Sequence, residues 1–169
     1  MIDMRAVLSD RGGSAAAEMA LVLPLLLVLT FGPLELGNYF MNQHTLVKAV
    51  RDGARFAARQ NFTNYTSCSG DVGEPALTNT KNVVMSGLMG GGGSIITPNI
   101  QADDIDVTTR CATVVGGQTM AGIYAERTTG AQIVTVSATV NYRSVLSVAG
   151  FSGIGLTLNA ASQAAVSGQ

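Results

Sequence analysis

The sequence predicts an α+β protein in which a long N-terminal membrane-spanning helix precedes a small exported domain, itself a short helix and a mainly antiparallel sheet. Three observations predict it. No charged side chain occurs from Met19 to Leu34, a run that approaches the ~20 residues needed to cross a bilayer once the preceding alanines and Tyr39, Phe40 and Met41 are added. Leu46, Val47, Val50, Ala54, Ala57 and Ala58 then recur at three- and four-residue spacing, the period of an amphipathic helix. The last third of the chain alternates apolar and polar residues, the period of half-buried strands. A chain of 169 residues holds one membrane helix and one modest domain. The divisions expected are a short N-terminal segment at 1–13, a transmembrane and juxtamembrane helix at 14–60, and an α+β domain at 61–169.

The N-terminal segment carries the most specific signal. Gly13 precedes Ser14, and Glu18 stands five residues beyond Gly13 at the edge of the apolar run. An ionised carboxylate there costs a few kcal/mol unless a positive group meets it. Pro24 and Pro33 fall inside the run, where each removes a backbone hydrogen bond; membrane helices tolerate this better than soluble ones. The Gly-x-x-x-x-Glu spacing continues into Ala20-Leu21-Val22-Leu23-Pro24-Leu25-Leu26, Phe31-Gly32, Glu35-Leu36-Gly37 and Ala49-Val50-Arg51-Asp52-Gly53-Ala54-Arg55. Together these residues resemble the TadE-like family of minor pilins and pseudopilins of the tight-adherence, type IVb-like pilus systems. Met19 stands where that family more often has an aromatic. The resemblance covers roughly residues 11 to 58. It implies that a prepilin peptidase cuts between Gly13 and Ser14, leaving the apolar helix on the mature protein with Glu18 as its fifth residue.

Two other readings of this segment compete. An ordinary secretory signal also places a basic segment before an apolar run, but it needs a small-x-small cleavage site after that run, and Gly32-Pro33-Leu34-Glu35-Leu36-Gly37-Asn38 offers none. A soluble core helix fits poorly with a nearly charge-free run flanked by Glu18 and Glu35. Arg5 and Arg11 against Asp3 and Asp10 lean toward a cytoplasmic N-terminus, whereas Lys48, Arg51, Arg55 and Arg59 argue the opposite on charge alone. The family resemblance and the cysteines favour a cytoplasmic N-terminus and a periplasmic domain on a single-pass inner-membrane protein, with a surface pilus as a further destination.

Beyond the helix, the Asn, Thr, Ser and Gly of residues 61 to 74 mark a loop carrying Cys68. A second helix opens at Pro75 with Leu77, Val84 and Leu88 on one side, and Gly90-Gly91-Gly92-Gly93 stops it. That glycine run lacks the Gly-Lys-Ser/Thr ending of a phosphate-binding loop and reads as a connector. Ile105, Val107, Thr109 and Cys111 form one face of a strand; Val134, Val136, Ala138, Val140 and Tyr142 form the clearest strand; Leu156, Leu158 and Ala160 suggest a last one before a frayed Ala/Ser/Gln tail.

Cys68 and Cys111 are too few and too far apart for a redox pair or a thiolate zinc site. In an oxidising compartment they read as a disulfide worth about 4 kcal/mol on the chain-entropy account, with two buried thiols as the alternative. His44 lies on the juxtamembrane helix with no nucleophile beside it. Asp103, Asp104 and Asp106 lack the spacing of a calcium loop, and Asn61-Phe62-Thr63 and Asn64-Tyr65-Thr66 match a glycosylation pattern too short to carry a role.

No catalytic, metal or cofactor constellation emerges, so an assembly protein is expected and not an enzyme. Nucleic acid is disfavoured as a partner by a net charge of -1. The resemblance implies that the partners are other pilin or pseudopilin subunits, the prepilin peptidase, the inner-membrane assembly machinery and membrane lipid. Glu18 is the residue expected to act in assembly, its carboxylate meeting the new Ser14 ammonium of a neighbouring subunit; unpartnered snorkelling to the interface is the alternative. A signal-anchored periplasmic binding module with an uncleaved N-terminus is the competing function.

Overall fold

The computed structural model describes residues 11–65, 68–112, 122–125, 130–149 and 155–168. Most of the expected leader, residues 1–10, lies outside the described residues, as does Thr66 of the second glycosylation pattern.

One helix, α1, runs unbroken from Arg11 to Ala58 through both Pro24 and Pro33. Its two halves solve different problems. From Ala15 to Leu34 every side chain is exposed, including Leu21, Leu25, Val28 and Leu29. From Leu46 onward the apolar positions turn inward, and Leu46, Ala49, Val50, Ala54, Ala57 and Ala58 are buried in the core of the domain. The periodic residues expected to form an apolar stripe are the ones that pack, except that Val47 is only half-buried. On the solvent side Arg55 Nη1 lies 3.9 Å from Asp52 Oδ1, an exposed pair of little energetic weight.

After α1 a 3-10 turn at Phe62–Asn64 is capped by Asn61, whose side chain accepts from the Thr63 N–H at 2.9 Å. A short strand follows, β1 at Ser69–Asp71; the polar composition here suggests only a loop, because three residues are too few to show alternation. Helix α2, Ala76–Ser86, begins with the Glu74 carboxylate accepting from the Thr78 N–H and hydroxyl, at 3.3 and 2.9 Å. It ends at Gly87, whose left-handed φ of 76° closes the last turn through a bond from its N–H to the Val83 carbonyl. The tetraglycine therefore follows the helix end and does not make it, and Leu88 lies past the end with its side chain exposed. The buried face of α2 is Ala76, Thr80, Val83 and Val84.

Strands β2 (Ile105–Ala112), β3 (Ala131–Asn141) and β4 (Thr157–Ala165) join β1 in one antiparallel sheet of order β1-β2-β3-β4. The α+β architecture is as expected: a long apolar helix, a short helix and a four-stranded antiparallel sheet. Ile105, Val107, Val134, Val136, Ala138 and Val140 face the helices and are buried. Asp103 and Asp104 form a 3-10 turn before β2, in which the Asp104 carboxylate accepts the Gln101 N–H at 2.8 Å.

The chain's end differs from the sequence reading. The Ala/Ser/Gln stretch is not a frayed tail but most of β4, paired with β3 from Leu158↔Val140 to Ala165↔Ile133, while Leu156 precedes the strand and is 41% exposed. Small residues have weak strand propensity. Here they serve packing, since Ala160 and Ala164 sit against the core at the position where α1 crosses the sheet. Beyond β4, Val166 is fully buried and the Ser167 N–H reaches the Ala58 carbonyl at 2.8 Å, tying the C-terminal segment to the end of α1.

Candidate functional site

The chemistry-bearing residues lie along α1 at two levels. At the first, Gly13 is exposed, and a Cβ built on it would meet nothing within 4 Å. Gly13, Ser14 and Glu18 all lie within the first turns of the helix, and Glu18 is exposed on its surface. The side chain of Ser14 is outside the described residues. Among the described residues, no part of the folded domain covers Gly13 or Glu18.

Glu18 and Glu35 are seventeen residues apart, which at 1.5 Å per residue separates them by about 26 Å along the axis. That is close to the ~30 Å hydrocarbon thickness of a bilayer. The helix is long and apolar enough to cross a membrane. Within this span Thr30 returns its hydroxyl to the Leu26 carbonyl at 2.7 Å, so that its polar group is satisfied inside the helix.

The second level is the junction where the exposed apolar run meets the domain. Glu35 Oε2 accepts the Val145 and Leu146 N–H groups at 3.0 and 3.2 Å, at the start of a 3-10 turn that spans Val145–Ala149. Tyr142 donates its hydroxyl to the Glu35 carbonyl at 3.3 Å and accepts from Asn38 Nδ2 at 2.7 Å. The Tyr142 phenol is shifted upward, first by burial and then by the nearby Glu35. One turn further along, Tyr39 donates to the Thr157 carbonyl at 3.4 Å and Gln43 Nε2 to the Asn159 carbonyl at 2.7 Å. One polar face of α1, from Glu35 to Gln43, is thus fastened to both ends of the β3–β4 connection. The rings of Tyr39 and Tyr142 stack edge to face, with centroids 5.2 Å apart. In the sequence Glu35 marks the end of the apolar run and part of the family resemblance, with no partner implied. Its partners are more than a hundred residues away, and no local pattern announces them.

Cys68 and Cys111 are joined in a disulfide with their Cα atoms 4.9 Å apart. The bridge lies where β1 pairs with β2 and links the segment after α1 to the sheet. Cys111 falls on the core-facing side of β2, half-buried, as the alternation predicts.

His44 is exposed. Among the described residues no group of three or more His, Cys, Asp or Glu is placed to hold a metal ion. A cleft of about 170 Å³ opens between Asn38 and Asn42 of α1 and Pro98, Tyr142 and Arg143.

The architecture defines a helix-anchored α+β protein whose N-terminal segment is left outside its own core. Residues 13–55 match the family model of TadE-like proteins, a stretch of about a quarter of the chain. The match begins at Gly13 and includes Glu18, both prolines, Glu35 and Gly53, and it supports a pilin-like protein related to the tight-adherence pilus. No curated protein and no solved structure matches the chain.

Proposed function

We propose that this chain is a minor pilin or pseudopilin that acts in assembly of a tight-adherence pilus after a prepilin peptidase cuts between Gly13 and Ser14. One observation carries the reading: within the TadE-like segment, Gly13, Glu18 and the whole apolar run to Leu34 are exposed on a helix whose other half is built into a folded domain. A core helix would bury that surface. A helix that moves between lipid and a bundle of like helices leaves it open.

In this reading Glu18 has a specific task. Cleavage creates an ammonium at Ser14, and a carboxylate on a neighbouring helix neutralises it where both charges would otherwise be poorly solvated. The domain is carried outward on α1, and the chain performs no catalysis. The competing reading, a periplasmic binding module, finds little support in the cleft beside Asn38, because ligand pockets usually enclose about 300–1,000 Å³ and this one encloses about 170 Å³.

Mass spectrometry of the protein from its native host tests the proposal. The mature chain should begin at Ser14, and a Gly13→Leu variant should stay full-length in the membrane. A native chain beginning at Met1, or beyond Gly37, would overturn the pilin-like reading. A Glu18→Ala strain should hold ordinary amounts of membrane protein and few or no surface pili; ordinary piliation there would remove the pairing with Ser14.

A further inference from the structure

We propose an interfacial foot at the level of Glu35: Val145 and Leu156, near the two ends of the β3–β4 connection, together with Phe40 of α1 and Arg143, seat the domain in the headgroup boundary of the membrane that α1 crosses. The proposal rests on the membrane-spanning reading of α1 and adds a second, independent contact with lipid.

Four observations converge on it. Glu35 lies where the charge-free run of α1 ends, and its carboxylate holds the Val145 and Leu146 N–H groups, so the start of the connection is held at the level where that run ends. The apolar side chains there point outward: Val145 is 56% exposed and Leu156 is 41% exposed, although the domain has a well-buried core to receive such residues. On α1 itself Leu36, Phe40 and Met41 continue the exposed apolar surface past Glu35, while Asn38, Tyr39 and Asn42 face the domain. Val145 and Leu156 thus lie at the same level as this helix surface, Val145 through its bond to Glu35 and Leu156 through the neighbouring Thr157, which meets Tyr39. Finally, the ring of Phe40 is exposed at this level, edge to face with the half-buried Tyr39 at a centroid distance of 6.0 Å, so that an apolar ring is left open where the apolar run of the helix gives way to the domain. Arg143, also exposed, brings a guanidinium within reach of lipid phosphate.

The occupant is lipid and not a second protein, because this patch lies at the foot of an anchored helix where the bilayer surface is always present. The Glu35 clamp also gives Oε2 two backbone donors, which offsets part of the cost of a carboxylate at that depth.

The chain has no tryptophan, so a single introduced indole reports its own depth. Full-length Val145→Trp, Leu156→Trp, Leu26→Trp and Thr63→Trp proteins are reconstituted into phosphatidylethanolamine and phosphatidylglycerol vesicles containing lipids brominated either near the headgroup or deep in the acyl chains. Val145→Trp and Leu156→Trp should be quenched several-fold more by the shallow than by the deep bromines, and Leu26→Trp should show the reverse. Thr63→Trp, at the other end of α1, should be quenched by neither. If Leu26→Trp is quenched but Val145→Trp and Leu156→Trp match Thr63→Trp, the foot is wrong while the membrane helix stands. If Leu26→Trp is also unquenched, the membrane reading of α1 itself fails.

Discussion

At the scale of single residues, the two glutamates of α1 differ in what surrounds them: Glu18 is exposed at the helix start, whereas Glu35 is held by the N–H groups of Val145 and Leu146. Hydrogen bonds to a charged acceptor contribute roughly 1.5–3 kcal/mol, and removing that acceptor leaves two donors to find water. A Glu35→Ala protein should therefore show faster amide hydrogen exchange at Val145 and Leu146, with exchange in β3 little changed. Unchanged protection at those two amides would mean that the carboxylate does not hold the turn. Tyr65 supplies a residue with a pH signature. It is fully buried, its hydroxyl donates to the Ala57 carbonyl, and burial raises its phenol from 10.0 to about 12. A raised folded-state value means that stability from the protonated phenol is complete below the unfolded value and is lost as pH climbs toward the folded one, at up to about 1.4 kcal/mol per pH unit. Stability should thus decline between pH 10 and about 12, and Tyr65→Phe should flatten that decline. An equal slope in the Tyr65→Phe protein would place the alkaline loss elsewhere.

Among the elements, the contact of α1 with α2 depends on one missing side chain. A Cβ on Gly53 would lie 2.3 Å from Val84 Cγ2, and valine in a helix has little rotamer freedom with which to move aside. Gly53→Ala should therefore destabilise the protein by about 1–3 kcal/mol through overpacking. In a Val84→Ala background the same change should become stabilising by up to about 1 kcal/mol, because the space is then free and alanine favours the helix. Denaturant titration of the four proteins in detergent gives the cycle, and the same sign of Gly53→Ala in both backgrounds would refute the close contact. Gly53 also illustrates what was readable beforehand. The apolar period of α1 and the alternation in β2 and β3 were legible because burial imposes a repeat on neighbouring residues, and the pairing of the cysteines because two thiols alone in an oxidising compartment have only each other. β1 is too short to show a repeat. The Ala/Ser/Gln segment of β4 is small for the sake of α1, a constraint that only the folded pair displays. Gly87, and not the glycine run, ends α2, since one left-handed residue suffices to close a helix. Of the candidate site, the Gly13–Glu18 spacing was visible because a processing signal is local in sequence. The Glu35 junction was hidden because its donors, Val145 and Leu146, lie more than a hundred residues along the chain.

For the whole molecule, the question is which side of the membrane the domain occupies. Lys48, Arg51 and Arg55, on the half of α1 built into the domain, and Arg59, just past its end, are exposed, and basic residues near a membrane helix favour the cytosolic side. The Cys68–Cys111 bridge argues the other way, because cytosolic thiols are kept reduced. It also has a structural role: it ties the segment after α1 to β2 and closes the loop that contains β1 and α2. Loss of such a bridge costs typically 2–4 kcal/mol, and Cys68→Ser should accordingly become markedly more protease-sensitive, whereas full resistance would show that the crosslink adds little. Thiol alkylation of native membranes decides orientation and bridge together. Two cysteines should be modified only after reduction, with protease added to the periplasmic side degrading the reduced domain faster than the oxidised one. Complete modification without reductant, in a domain shielded from that protease, would place it in the cytosol and remove the periplasmic placement on which a pilus role depends.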